Sequence, residues 1–181
     1  MRRRMYKVFA MWNFDKEEQW LNEMAAQGLS LVNVAPFRYD FEETDMGAYQ
    51  VRLEMLADLP SNPKSQNYIR FLEETGVEHI GTIFRWVYFR KGTEEAPFDL
   101  FSDIESRIAH LNRMLVIPLV LGISNVTSAF SWIERYHRYG YRISELWVII
   151  AILTTALMLL YGFIRIWHKK RQLQKERVLH E

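Results

Sequence analysis

Apolar and polar positions alternate at short period along the first half of the chain and give way to long apolar runs in the second. Tyr6 to Trp12, rich in Val and aromatics, predicts a strand. Asp15 then offers an N-cap with Glu18 three residues on, as in a capping box. Trp20, Leu21, Met24 and Ala25 recur at helical spacing until Gly28 supplies the stop. Leu29 to Phe41 and Ala48 to Leu56 predict two strands joined by the polar turn Glu42 to Gly47. In the second, Tyr49, Val51, Leu53 and Met55 alternate with Gln50, Arg52 and Glu54, the period of a strand with one buried and one wet face. Asn62 and Pro63 open a second helix with Tyr68, Ile69, Phe71 and Leu72 on its apolar side and Gly76 at its end. Val77 to Arg90 predicts a last strand, with Phe84, Trp86 and Tyr88 on one side and Arg85 opposite. The order strand, helix, strand, strand, helix, strand is the βαββαβ pattern of ferredoxin-like domains, an α+β fold over residues 1–92.

Two apolar runs follow. Met114 to Ile133 is 20 residues without Asp, Glu, Lys, Arg or His, and Leu146 to Ile164 is another 19. Each meets the roughly 20-residue length that crosses the hydrocarbon core as a helix, so a transmembrane hairpin is predicted over 114–167, with spans 114–133 and 146–167. The second span is interrupted only by Thr154, Thr155, Gly162 and Arg165. The first carries Pro118, Gly122, Ser124, Asn125, Thr127 and Ser128. Amide and hydroxyl groups in lipid seek hydrogen bonds across helix interfaces, and small residues permit the close approach. Gly122, Ser124, Asn125, Thr127 and Ser128 are therefore expected to face Thr154 and Thr155, or a second subunit. A substrate or ion path between the helices is the sharper alternative, but no ionisable residue stands in mid-span.

Charge adds an orientation. Residues 1–113 hold 14 Lys and Arg against 18 Asp and Glu, residues 114–145 hold 3 against 2, and residues 146–181 hold 6 against 2. Arg165, Lys169, Lys170, Arg171, Lys175 and Arg177 follow the second span, and Arg107 and Arg113 precede the first, which places both termini in the cytoplasm by the positive-inside rule. Arg135, Arg138 and Arg142 in the outward loop pull the other way. In the basic tail 168–181, as at Arg165, Lys169, Lys170 and Arg171, each cation near anionic lipid contributes about 1 kcal/mol to anchoring. The basic opening Met1 to Arg4 leads into no long apolar core and does not read as a signal peptide. Between domain and membrane, Phe101, Ile104, Ile108 and Leu111 make 93–113 an amphipathic connector. It can lie on the inner leaflet, pack on the domain, or run straight into the first span until Pro118 bends it.

Certain residues also carry a resemblance. Phe14 to Gly28, reading FDKEEQWLNEMAAQG, is similar to the signature of a bacterial family known as domain-of-unknown-function family 2812. Phe71 to Gly76 and Tyr88 to Lys91 resemble its second helix and last strand, so the likeness covers residues 5 to 92. The family typically places Trp after each helix-ending Gly, where this chain has Leu29 and Val77. Its members commonly carry membrane helices after the domain and are often encoded beside PadR-type transcriptional regulators. That implies a regulated membrane or envelope process and no particular activity.

Candidate chemistry is sparse. The chain has no Cys, which removes disulfides, thiolate metal sites and a Cys nucleophile. His79, His110, His137, His168 and His180 are scattered without metal-ligand spacing, and there is no phosphate loop or nucleophile elbow. Asp15, Glu17 and Glu18 sit in a first helical turn, where acids complement the dipole. Trp12, Trp20, Phe37, Tyr39, Phe41, Tyr49, Phe84, Trp86 and Tyr88 either fill a small α+β core or line a pocket, and the acidic domain speaks against base stacking. Lys7, Arg38, Arg52 and Arg85 fall on the open side of a ferredoxin-like sheet with Asp40, Gln50 and Glu54, to meet an acidic helix or anionic ligand, or to form cross-strand ion pairs. The expected protein is a membrane-anchored regulator or adaptor, or alternatively an accessory subunit assembled through its spans. It is expected to be no enzyme, with no cofactor or metal. Its expected partners are the lipid bilayer and a protein or further copy of the chain, not nucleic acid.

Overall fold

The computed structural model describes residues 2–94, 98–100, 104–139 and 146–180. The chain forms two compact units, Met1–His110 and Leu111–Glu181. Pro97, Phe101, Ser102 and Asp103 of the connector, and Arg142 of the loop between the apolar runs, lie outside the described residues.

The first unit runs β1 (Arg2–Tyr6), a 3-10 turn (Met11–Asn13), α1 (Phe14–Ala26), β2 (Leu29–Ala35), β3 (Arg38–Glu43), β4 (Tyr49–Met55), α2 (Pro63–Glu74), β5 (Glu78–Ile83) and β6 (Trp86–Gly92). The class is α+β, and each of the two long runs anticipated as single strands is a hairpin. Leu29 to Phe41 breaks at Pro36-Phe37, and Val77 to Arg90 breaks at Phe84-Arg85. Six strands result, in two antiparallel sheets of order β1-β3-β2 and β4-β6-β5, instead of four in one ferredoxin-like sheet.

These sheets belong to two copies of one βαββ plan. Both helices end at a glycine with positive φ, Gly28 at 80° and Gly76 at 83°. Both second strands carry a bulge at the same place, between Leu31 and Asn33 and between His79 and Gly81. The residue after each first strand donates its amide to the second residue of the hairpin turn: Lys7 N to Phe37 O at 3.1 Å and Leu56 N to Arg85 O at 2.8 Å. The copies adjoin along β2 and β5. A Cβ on Gly81 would stand 3.0 Å from Val34 Cγ2. Arg90, opposite Glu78 at the start of β5, donates to Ser30 Oγ and Leu31 O near the start of β2, both at 2.9 Å. The two strands therefore point the same way, and their hairpin turns share one end of the unit.

Local chemistry accounts for the details. The basic opening is a strand laid against the acidic end of β3, with Arg4 Nε 2.8 Å from Asp40 Oδ1 and Arg3 3.9 Å from Glu43. Asn62 caps α2 by accepting from Lys64 N at 2.9 Å, with Pro63 at the first helical position. The N-cap of α1 is Asn13, without a side-chain cap bond, so no capping box forms on Asp15. Leu21, Leu31, Phe41, Val51 and Leu53 form the larger core, with Trp20 edge-on to Tyr39 and Phe41. Leu56, Val77, Val87, Phe89 and Phe98 form a second, under α2.

Beyond these, α3 spans Ile104–Tyr139, with Pro118 inside it, and α4 spans Leu146–His180. His110, at the end of the first unit, is buried there. Its Nδ1 accepts from Met55 N at 3.4 Å, and its ring lies against Phe14 and Trp86. Ile104–Arg135 and Trp147–Arg177 bound two helices long and apolar enough to cross a membrane.

Candidate functional site

The sequence placed Asp15, Glu17 and Glu18 together as acids of one helical turn, and the fold sends Glu17 and Glu18 inward. Glu17 lies on the same face of α1 as Leu21 and Ala25, four and eight residues on, and is 8% exposed. Its Oε1 accepts from Tyr39 Oη at 2.7 Å and Tyr88 Oη at 2.6 Å, so one carboxylate joins β3 of the first copy to β6 of the second. Burial raises the Glu17 carboxyl above its ordinary range, and the two phenol bonds oppose that rise. Burial first, and then the charge of Glu17, push both phenols upward as well. The spacing 17, 21, 25 was the available signal for this group, a charged residue on an apolar stripe.

Glu18 and Asn22 turn to β4, the outer strand of its sheet. Leu53 N donates to Glu18 Oε2 at 2.9 Å, and Asn22 answers Val51 twice, Oδ1 accepting from Val51 N at 2.8 Å and Nδ2 donating to Val51 O at 3.0 Å. Side chains of α1 thus do for β4 what a further strand would do. Burial raises the Glu18 carboxyl, against the Leu53 amide and the Arg52 charge. All three residues belong to the stretch that carries the family resemblance.

The four cations anticipated on one sheet face are divided between the two sheets. Arg52 Nη1 donates to Glu18 Oε1 at 3.1 Å and its Nε to Phe98 O at 2.9 Å. Arg85 donates to Leu56 O at 3.0 and 2.5 Å and also to Ala57 O. Both guanidinium groups hold main-chain carbonyls. Lys7 lies over the rings of Trp20 (4.4 Å) and Phe9 (5.0 Å), and Arg38 stands 3.6 Å from Asp40. Among the described residues no three His, Asp or Glu side chains gather as a metal site would require.

In the second unit Asn125 Nδ2 donates to Thr155 Oγ1 at 2.7 Å between α3 and α4. Thr127 and Ser128 bond back to Ser124 O within α3, and Thr154 to Ile150 O within α4. A Cβ added at Gly122 would meet nothing within 4 Å. Gly122 lines an apolar groove of about 520 Å³ together with Pro118, Val126, Phe130, Leu160 and Phe163 among others. On the tail, Arg171 stacks on Trp167 at 3.9 Å, while Arg165 donates to Tyr161 Oη at 3.3 Å.

Residues 13–123 match the family described as protein of unknown function (DUF2812). The chain belongs to this family. No curated protein and no solved structure matches it. The DUF2812 match takes in α1 through β6 and continues into α3 as far as Ile123, so the start of the first apolar run lies within it and α4 lies beyond.

Proposed function

We propose that this DUF2812 protein is a membrane-anchored adaptor or regulator and not an enzyme. In this reading α3 and α4 hold it in a bacterial cell membrane with both termini cytoplasmic, and the α+β unit offers a surface to a partner. The supporting observation is the surface of the helix pair. Leu119, Phe130, Leu153 and Leu157 are among many large apolar side chains left exposed along two helices of 36 and 35 residues, and hydrocarbon is the solvent that suits such a surface. The closed carboxylate-phenol group around Glu17 fits a binding module, because a group sealed from solvent has no route to a substrate.

The apolar groove favours a second reading, an accessory subunit that receives a partner's helix between α3 and α4. Replacing residues 111–181 with an unrelated two-helix hairpin separates the two. If the hairpin is an anchor, detergent pull-down from membranes expressing the chimera recovers the same proteins as the native chain. Loss of those proteins from a well-expressed chimera transfers the function to the helices.

A further inference from the structure

Two hairpin turns share one end of the α+β unit, and each presents a phenylalanine in an unfavourable way twice over. Phe37 has φ of 63° and Phe84 of 56°, the left-handed region that bulky residues rarely occupy outside strained sites. Both side chains are also exposed, by 59% and 85%. Gly or Asn would relax the backbone and remove the exposed ring. Tyr6 and Val8, which flank the Lys7 amide bonded to Phe37 O, are exposed at the same end, as is Leu59 in the loop after β4. Lys7, Arg38 and Arg85 stand there too, against Asp40, already paired to Arg4 and Arg38, and Asp58. Finally, His110 lies on Met55 and Trp86, next to the Phe84 turn, so the chain leaves the unit at this end and enters the apolar run Met114 to Ile133.

From this juxtaposition we infer that the turns at Phe37 and Phe84 form a membrane-docking surface, whose aromatic tips enter the headgroup layer of anionic lipid while the exposed Lys7 beside them faces its phosphates. Interfacial burial of rings and electrostatic attraction of nearby cations are the two contributions that hold a peripheral surface on a bilayer. The inference rests on the membrane reading of α3 and α4.

The test uses the full chain, which has no Cys of its own, reconstituted in vesicles of phosphatidylethanolamine and phosphatidylglycerol. Single Cys replacements at Phe37, Phe84, Met46 and Leu157 carry a nitroxide, and collisions with oxygen and with a water-soluble nickel chelate report depth. Labels at 37 and 84 are expected to favour oxygen over nickel, and the label at Met46, in the loop at the far end of β3, to do the reverse. Nickel-accessible labels at 37 and 84 with a lipid-immersed label at 157 overturn the docking surface and leave the membrane reading standing. A nickel-accessible label at 157 removes the membrane reading itself. Labels at 37 and 84 shielded from both reagents assign the turns to a protein contact, including one with a second copy, and also overturn the proposal. As a companion measurement, Phe37→Gly with Phe84→Gly is expected to melt no lower than the native chain, because strain leaves with the rings. A marked loss of melting temperature makes the rings part of the fold.

Discussion

Glu17 is a buried carboxyl that accepts from two phenols. Its carboxyl is raised in the folded chain above the ordinary 4.5, so the native state holds the proton more tightly than the unfolded state. Stability from this group is fully present below the unfolded value and declines as pH rises through the folded one. Glu17→Gln keeps an oxygen for both tyrosines and removes the charge. Its melting temperature at neutral pH is expected to equal or exceed that of the native protein, with a flatter dependence on pH above 4.5, followed by tryptophan fluorescence of the full chain in detergent. Glu17→Ala leaves two buried phenols without their acceptor and is expected to cost about 2–4 kcal/mol. Asp40 has the opposite sign: its bonds to Asn33 and Arg4 hold it below its usual range, so what it contributes is lost as pH falls.

At the scale of elements, the helices and the strand β4 were legible from their apolar periods, although the cap expected at Asp15 does not form. Asn62-Pro63 and the two terminal glycines are where the sequence pointed to them. The hairpins within Leu29 to Phe41 and Val77 to Arg90 were not, because neither turn is written in Gly, Asn or Asp. Pro36-Phe37 and Phe84-Arg85 instead put aromatics where the chain reverses, so each pair of strands read as one long apolar run. The strain that hid these turns from pattern reading is the strain that marks them as candidates for function. The inward roles of Glu18 and Asn22 were hidden for another reason, since they depend on which strand lies across from α1. Asn22→Ala withdraws both bonds to Val51 and is expected to destabilise the unit by about 1–3 kcal/mol. Hydrogen exchange at the Val51 amide should accelerate more than exchange at Phe89 in β6, and equal acceleration would place the bonds outside the local stability of β4.

For the whole molecule, the division into a folded unit and an apolar helix pair was visible from charge and run length alone. The side-chain pairings of Lys7, Arg38, Arg52 and Arg85 were not, because a single-sheet topology put all four on one face, whereas the two-sheet fold brings Lys7, Arg38 and Arg85 to the hairpin end and leaves Arg52 within β4. The proposed orientation is open to a direct check. Arg138 near the end of α3 is exposed, and a Cys placed there, alone in the chain, is expected to react with an impermeant maleimide on intact cells. Labelling that requires lysis reverses the proposed topology. The proposed anchoring also alters what the edge of β4 must withstand. Molecules confined to a plane collide far more often than the same number in solution, and an open strand edge in such a crowd invites cross-chain β-sheet growth. With Asn22 occupying the amide and carbonyl of Val51 and Glu18 the amide of Leu53, α1 guards that edge against such pairing as well as supporting the core.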